Sequence, residues 1–169
     1  MTRPQIPIAA SRHRRDIRLL LDDIRSVHNV GSIFRTAETI GVSKIYCGGT
    51  TPTPLDRFGR KRADLAKVAL GAEELVPWEC TDTQGTVRLV RSLKREGFKV
   101  VALEQDPASI DYRKIKPAEK MLIVIGNEVG GVSKQSLRSA DAIAEIPLQG
   151  QKESLNVSVA VGIFLFQIL

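Results

Sequence analysis

Three polar stretches, each placed after an apolar run, contain the residue types that could carry out chemistry. The first, HNVGSIFRTAE, spans residues 28–38 and combines Asn29, Gly31 and Arg35 at helical spacing. Asn29 is a good helix N-cap, and Arg35 lies opposite the apolar stripe of the predicted helix. Because helical side chains lean toward the N-terminus, Arg35 should pass over Gly31 and leave space there for another molecule. The plainer alternative is an exposed ion pair between Arg35 and Glu38.

The second stretch, MLIVIGNEVGGVS, joins a buried strand to a glycine-rich turn at residues 121–133. Gly126 at the strand end would let a ligand approach the backbone closely. Asn127 and Glu128 add two polar groups at the edge of the sheet where Asn29 is also expected. A tight turn capped by Ser133 is the simpler alternative. The stretch is no phosphate-binding P-loop, since it lacks the GK[ST] ending.

The third stretch, EIPLQGQKESLNVSVAVGIF, spans residues 145–164 and leads from a strand into an apolar helix. Ser154 or Asn156 could serve only as the N-cap of that helix. Three polar strand-to-helix junctions in one chain are more than capping requires. In open α/β sheets, ligands bind at the carboxyl ends of the strands, where these junctions meet.

The elements that must position these residues alternate between strands and helices along the chain. Continuous apolar strands between helices predict an α/β fold with a mostly parallel sheet and helices on both faces. The apolar helix at the C-terminus should be buried, and so should both cysteines, Cys47 and Cys80. Strands are expected at 17–24, 43–49, 73–79, 99–105, 121–128 and 142–148, and helices at 29–40, 63–70, 86–96, 134–141 and 155–169.

The charge of the chain is concentrated in two segments. The net charge is +6, yet residues 1–18 alone carry +4 and the RFGRKR segment at 57–62 another +4. Localised basicity of this kind is typical of a surface that binds a polyanion. A solubilising tail and a charged loop are the alternative.

Several classes of protein are excluded by composition. The N-terminus lacks the apolar core of a signal peptide, and the apolar C-terminal stretch is shorter than the ~20 residues of a membrane span. The two cysteines lack the spacing of metal ligands, so no metal site is predicted. The chain, with 169 residues of which 43% are hydrophobic, is expected to form one domain in the cytoplasm.

The three stretches together resemble a known family. NVGSIFRTAE, IVIGNEVGGVS and IPLQGQKESLNVSVAVG are similar, in order and spacing, to the signature motifs of SpoU (TrmH-like) RNA ribose 2′-O-methyltransferases of the SPOUT superfamily. The resemblance covers residues 18–169 and implies a Rossmann-like domain with a C-terminal trefoil knot, preceded by a basic tail at residues 1–17. It also implies bound S-adenosylmethionine, an RNA substrate, and a homodimer whose site uses residues of both subunits.

The family's functional residues carry over to matching positions here. Arg35 matches the catalytic arginine, and Asn29, Glu128, Ser154 and Asn156 complete the polar set. We favour Arg35 as an electrostatic stabiliser rather than a base. The pKa of a guanidinium lies far above neutral pH, so the group stays protonated and cannot accept a proton. The methyl-donor pocket is expected to be lined by Leu103, Glu104, Gly126, Ile146, Leu148 and Leu155, and RNA to be contacted by Arg12, Arg14, Arg15, Arg57, Arg60, Lys61 and Arg62.

Some alternatives stay open at this stage. Both tRNA and rRNA are possible substrates, and with the chain ending at Leu169, RNA selection is expected to fall on the tail, the 51–62 loop and the partner subunit. A non-catalytic RNA-binding or ribosome-assembly protein would not need the full polar set. An RNA base methyltransferase of the same superfamily fits the motifs less well. A nicotinamide oxidoreductase fits the strand–helix alternation but would need the G-x-G-x-x-G that is missing here.

Overall fold

A seven-stranded sheet forms the centre of the protein. The computed structural model describes residues 15–169. The strands are β1 (Asp16–Asp22), β2 (Lys44–Gly48), β3 (Trp78–Thr81), β4 (Lys99–Leu103), β5 (Ile110–Asp111), β6 (Lys120–Gly126) and β7 (Ala142–Glu145). All strand pairs in the sheet are parallel, in the order β3-β2-β1-β6-β4-β7-β5.

Helices cover both faces of this sheet, as the strand–helix alternation predicts. The helices are α1 (Val27–Ile40), α2 (Ala63–Ala69), α3 (Ala72–Leu75), α4 (Thr83–Arg95), α5 (Lys134–Ser139) and α6 (Val157–Gln167). One buried cluster packs α1, α2, α3 and α6 against the sheet, and a second cluster packs α4 and α5 on the opposite face. The apolar runs are continuous because alternate residues enter opposite clusters: Leu19 and Leu21 of β1 join the first, and Leu20 the second.

The prediction of an extended segment at residues 73–79 is wrong for the first half of that segment. It begins within α3, whose first turn places Glu73 and Glu74 near the positive end of the helix. Pro77 follows this helix, and β3 starts only at Trp78. The two-residue strand β5 was not anticipated, because its pairing with β7 depends on a distant part of the chain.

Two burial predictions are also wrong. Cys47 is buried as expected, but its register partner Cys80 is exposed because β3 forms an edge of the sheet. Helix α6 is apolar all round, yet only Val161, Phe164 and Leu165 are buried within it. Its other face is exposed at Val159, Ile163 and Phe166, and exposed Leu169 follows it. Among residues 15–169, no helix is both long and apolar enough to cross a membrane.

Candidate active site

A cavity of about 570 Å³ opens at the carboxyl ends of β4, β6 and β7, where the segments following these strands converge with the N-terminus of α6. Its lining contains four of the five residues proposed for catalysis, Asn29, Glu128, Ser154 and Asn156. It also contains all six residues proposed to hold the methyl donor: Leu103, Glu104, Gly126, Ile146, Leu148 and Leu155. Residues far apart in sequence therefore meet at one place, which is the usual ligand position in α/β sheets.

The three polar stretches are joined by the side chain of Asn29. Its Nδ2 donates to Glu128 Oε1 at 3.2 Å, and its Oδ1 accepts from Asn156 Nδ2 at 3.1 Å. Asn156 is the N-cap of α6, where its Oδ1 accepts from Ser158 N at 2.9 Å. The capping interpretation of Asn156 is therefore correct, but its Nδ2 also donates to Asn29 in the first turn of α1. Ser154 lines the cavity and is exposed.

The N-cap prediction for Asn29 is wrong. Helix α1 starts two residues earlier than expected, and Ser26 caps it by accepting from Asn29 N at 3.2 Å. Glu128 completes this terminus, since its carboxylate accepts from the backbone N–H groups of Arg25 and Ser26, each at 3.2 Å. A carboxylate at a helix N-terminus is stabilised by the free N–H groups and the helix dipole. Asn29, 7% exposed, is thereby released from capping and faces the cavity.

Glu128 is held in its ionised form by this arrangement. Partial burial, the largest single effect, acts to raise its pKa. The hydrogen bonds from backbone N–H groups and from Asn29 together outweigh burial, so the pKa of Glu128 lies below its ordinary value. At neutral pH the residue is an acceptor and a negative charge, and not a proton donor.

The glycine-rich turn serves chain packing first. A Cβ on Gly126 would collide with the backbone of Gly131 and Val132, and Gly131 itself has φ +67°. Glu104 secures this turn by accepting from Val132 N at 2.6 Å. Asn127 closes it, since its Oδ1 accepts from the backbone N–H groups at 129 and 130. Gly126 lines the cavity as predicted, but its missing side chain makes room for the backbone of residues 131 and 132, and Gly131 also forms part of the cavity wall.

Arg35 lies outside the cavity of its own chain. It is exposed and lies six residues along α1 from Asn29. Its side chain makes no hydrogen bond or ion pair within residues 15–169, so the alternative pairing with Glu38 is not formed. The predicted role of Gly31 is wrong. That glycine is buried against α2, where a Cβ would lie 2.9 Å from Val68 Cβ and 3.0 Å from the Leu65 carbonyl. It allows two helices to approach and leaves no space for a ligand.

The cavity lining is acidic. Four carboxylates line it and, within the described chain, no Lys, Arg or His joins them. Glu104 and Glu128 were expected there, whereas Glu145 and Glu153 were missed although each directly precedes a predicted lining residue. Their positions next to Ile146 and Ser154 were the available signal. A cavity of this charge favours a ligand that carries positive charge.

The basic residues of the 57–62 segment are mostly partnered within the protein. Arg60 pairs with Asp56, Lys61 with Glu74 and Arg62 with Asp64, at 2.6–2.8 Å. Arg15 donates to the backbone oxygens of Ile168 and Leu169 at 3.1 and 2.5 Å, which ties the start of the described chain to its end. Arg57 has no carboxylate partner among residues 15–169. Arg12 and Arg14 lie outside the described residues.

Comparison with known proteins agrees with this geometry. The model of the SpoU rRNA methylase family matches residues 16–166, which include the whole sheet and the cavity. The chain belongs to the SpoU rRNA methylase family. Membership confirms the resemblance seen in the three sequence motifs and accounts for the α/β fold.

Named relatives act on two kinds of RNA. The chain is 30% identical over 92% of its length to a tRNA (guanosine(18)-2′-O)-methyltransferase of Aquifex aeolicus, 70% of which it covers. It is 33% identical over 93% of its length to the 23S rRNA (guanosine-2′-O-)-methyltransferase RlmB of Vibrio parahaemolyticus, covering 60% of that protein. An AdoMet-bound rRNA methyltransferase from Sinorhizobium meliloti superposes with a TM-score of 0.80 at 30% identity, over 90% of this chain and 55% of that one. The chain thus spans between about half and 70% of these relatives.

Proposed function

We propose that this protein transfers the methyl group of S-adenosylmethionine to a ribose 2′-hydroxyl of RNA. The observation that carries the proposal is the meeting of Asn29, Glu128 and Asn156, one from each SpoU motif, at a single acidic cavity. Relatives named as 2′-O-methyltransferases act on tRNA and on 23S rRNA, so either RNA is a candidate substrate.

The cavity suits the methyl donor in shape and charge. The apolar side chains of Leu103, Ile146, Leu148 and Leu155 offer surface for an adenine ring, and Gly126 belongs to the same lining. The four carboxylates favour the positive sulfonium and ammonium groups of the donor over a neutral ligand. When bound, S-adenosylmethionine supplies an electrophilic methyl group for attack by an oxygen nucleophile.

A homodimer completes the site in this proposal. The exposed apolar face of α6 needs a cover, because a helix that is apolar all round is normally buried. Arg35 flanks this face: a Cβ on Gly162 of α6 would lie 3.9 Å from Thr36 Cγ2, and Thr36 is the next residue. We propose that a second copy covers α6, that Arg35 lies at the resulting interface and that it enters the partner's cavity.

Arg35 then stabilises the charge that develops on the attacking ribose oxygen. A ribose hydroxyl is too weak an acid to ionise unaided, so the site must orient it and stabilise the forming oxyanion. A guanidinium suits this task and can also hold the adjacent phosphate through two parallel hydrogen bonds. We expect an Arg35→Lys enzyme to lose most of its activity, because an ammonium cannot make the paired contact. Near-full activity of that variant would remove the need for a guanidinium.

Strand order supports the proposed C-terminal knot. The chain leaves β4, passes to β5 at the far edge of the sheet, and returns to β6 on the other side of β4. Strand β7 lies between β4 and β5, inside this excursion, and the following residues cross back to pack α6 on α1. We propose that this C-terminal segment is threaded through the 104–119 connection and that threading shapes the donor cavity.

RNA contacts are assigned to the basic segments. We propose that the methyltransferase domain begins with β1 at Asp16, two residues before the boundary expected from the sequence, and that the basic tail before it binds the RNA backbone in the cytoplasm. Within the 57–62 segment, Arg57 lacks a carboxylate partner in the described chain and is the strongest candidate for a phosphate contact. Arg60, Lys61 and Arg62 would first have to leave their acidic partners.

A transfer assay tests the proposed function. Purified protein is incubated with radiolabelled S-adenosylmethionine and either unmodified bulk tRNA or rRNA, and label in RNA is counted. We expect incorporation with one RNA class, lost in Arg35→Ala. Donor binding, measured by calorimetry, should survive in that variant. Absence of both transfer and donor binding by wild type would instead favour the non-catalytic RNA-binding alternative.

A further inference from the structure

Residues 55–61 form a small hairpin within the 51–62 loop. Leu55 and Lys61 make an antiparallel bridge, and Asp56 N donates to the Arg60 carbonyl at 2.8 Å. The Asp56 carboxylate organises the turn by accepting from Phe58 N at 2.8 Å and from Arg60 N at 3.0 Å. Gly59, with φ +76°, provides the left-handed residue that the turn requires. The hairpin therefore presents its tip in a defined conformation.

The tip of this hairpin is an exposed aromatic ring between two arginines. Phe58 is 65% exposed and belongs to neither buried cluster. The guanidinium carbons of Arg57 and Arg60 lie 4.8 and 5.0 Å from the centre of its ring. A phenylalanine held in solvent contributes nothing to the core, so its position needs another explanation.

The hairpin emerges from the same edge of the sheet as the cavity. Its loop begins after β2, and Thr51 fixes that start by accepting from Ile24 N at 3.1 Å and donating to the Leu21 carbonyl at 2.9 Å. Ile24 lies in the connection between β1 and α1, three residues before the helix that carries Asn29 and Arg35. The loop then enters α2, which packs directly on α1 at Gly31.

We propose that Phe58 stacks on an unpaired base of the RNA substrate while Arg57 holds a neighbouring phosphate. An aromatic platform next to cationic side chains is the arrangement by which proteins bind single-stranded nucleic acid. Arg60, like Lys61 and Arg62, is paired with a carboxylate, so the ring of Phe58 and the guanidinium of Arg57 are the accessible contacts of the tip. The inference rests on the proposed RNA substrate and specifies that it is single-stranded near the target nucleotide.

Binding of defined probes separates stacking from charge. Phe58→Leu keeps an apolar side chain and removes the ring, whereas Phe58→Tyr keeps the ring. We expect Phe58→Leu to bind a short, labelled, mixed-sequence single-stranded RNA about tenfold more weakly or worse, and Phe58→Tyr to bind like wild type. Affinity for an RNA duplex of the same sequence should not change. Arg57→Gln should weaken the complexes with both RNAs. The slope of the logarithm of the binding constant against the logarithm of the salt concentration should fall in magnitude by about one, as expected for one lost phosphate contact.

Fluorescence reports stacking directly. The wild type contains one tryptophan, Trp78, so a Phe58→Trp variant adds a single new reporter at the tip. Its added emission should be quenched by the single-stranded probe, with wild type as the matched control. Equal single-strand binding by Phe58→Leu and wild type, absence of quenching, or no wild-type binding to the probe would each overturn the platform. Failure of the proposed function is separately visible, as absence of methyl transfer by wild type.

Discussion

Glu128 Oε1 accepts a hydrogen bond from Asn29 Nδ2 at 3.2 Å, across 99 residues of sequence. The same carboxylate accepts from the backbone N–H groups of Arg25 and Ser26, so a side chain that follows β6 is bound to the residues just before α1. Asn29, Glu128 and Asn156 therefore hold each other in position before any substrate binds. Substitutions of these residues should therefore have non-additive effects on the free energy of unfolding.

The lowered pKa of Glu128 predicts a pH-dependent contribution to stability. A carboxylate with a depressed pKa in the folded state stabilises the fold above its unfolded pKa of about 4.3, and this stabilisation is lost as the pH falls through the folded value. Glu128→Gln should therefore be less stable than wild type at pH 7, with the difference shrinking below about pH 4. Urea unfolding across this pH range measures it. Glu153→Gln is the control at pH 7: it removes an exposed carboxylate with no hydrogen bond within residues 15–169 and should be as stable as wild type.

Gly126 should not tolerate a side chain. A Cβ there meets backbone atoms of Gly131 and Val132, which can move only if the cavity wall moves. We expect Gly126→Ala to lose about 1–3 kcal/mol of unfolding free energy and most of its affinity for S-adenosylmethionine. Thermal unfolding and calorimetry provide the two measurements. Gly150→Ala is the matched control, because a Cβ at Gly150 meets nothing within 4 Å, and it should behave as wild type.

The exposed face of α6 should hold the dimer together. Phe166, 62% exposed, lies on this face, so Phe166→Glu would place a charge in the proposed interface. Light scattering after size exclusion should find wild type as a dimer and Phe166→Glu as a folded monomer without transfer activity. Leu75→Glu changes an equally exposed leucine on α3 and should remain dimeric. A dimeric Phe166→Glu would assign the interface to another surface.

Arg35 should act on the cavity of the partner subunit. Arg35→Ala lacks the guanidinium, and Leu155→Arg fills the cavity, so each homodimer should be inactive. In an equal mixture of the two, refolded together, half of the dimers combine one intact cavity with one intact Arg35, and about a quarter of wild-type activity should return. If Arg35 worked within its own chain, the mixture would stay inactive.

Local patterns were sufficient for much of the fold. The alternating apolar runs predicted most strands and helices, and the helix predicted to end at residue 40 does end there, followed by Gly41 in the left-handed conformation. The motif residues also led to the cavity, because parallel strands bring their carboxyl ends to one edge. What sequence reasoning missed was decided by distant partners. Ser26 took the N-cap while Asn29 was engaged by Glu128 and Asn156, and Gly31 was required by the approach of α2.

Arg35 illustrates the same limit at the site. Its motif placed it in the active centre, but within one chain it lies on the exposed side of α1, away from the cavity. A sequence cannot state which subunit supplies a side chain. Charge counting along the chain likewise gave the 57–62 segment four free cations, because it could not show that Asp56, Asp64 and Glu74 partner three of them.

The central claim is tested most directly by the chemical position of the transferred methyl group. RNA incubated with the protein and deuteromethyl S-adenosylmethionine is digested to nucleosides and analysed by mass spectrometry. We predict a labelled nucleoside whose extra mass remains with the ribose fragment, and whose 3′-phosphodiester resists alkaline hydrolysis in the intact RNA. Arg35→Ala should abolish it. Label on a base fragment would contradict ribose methylation, and no labelled nucleoside from either tRNA or rRNA would contradict methyl transfer itself.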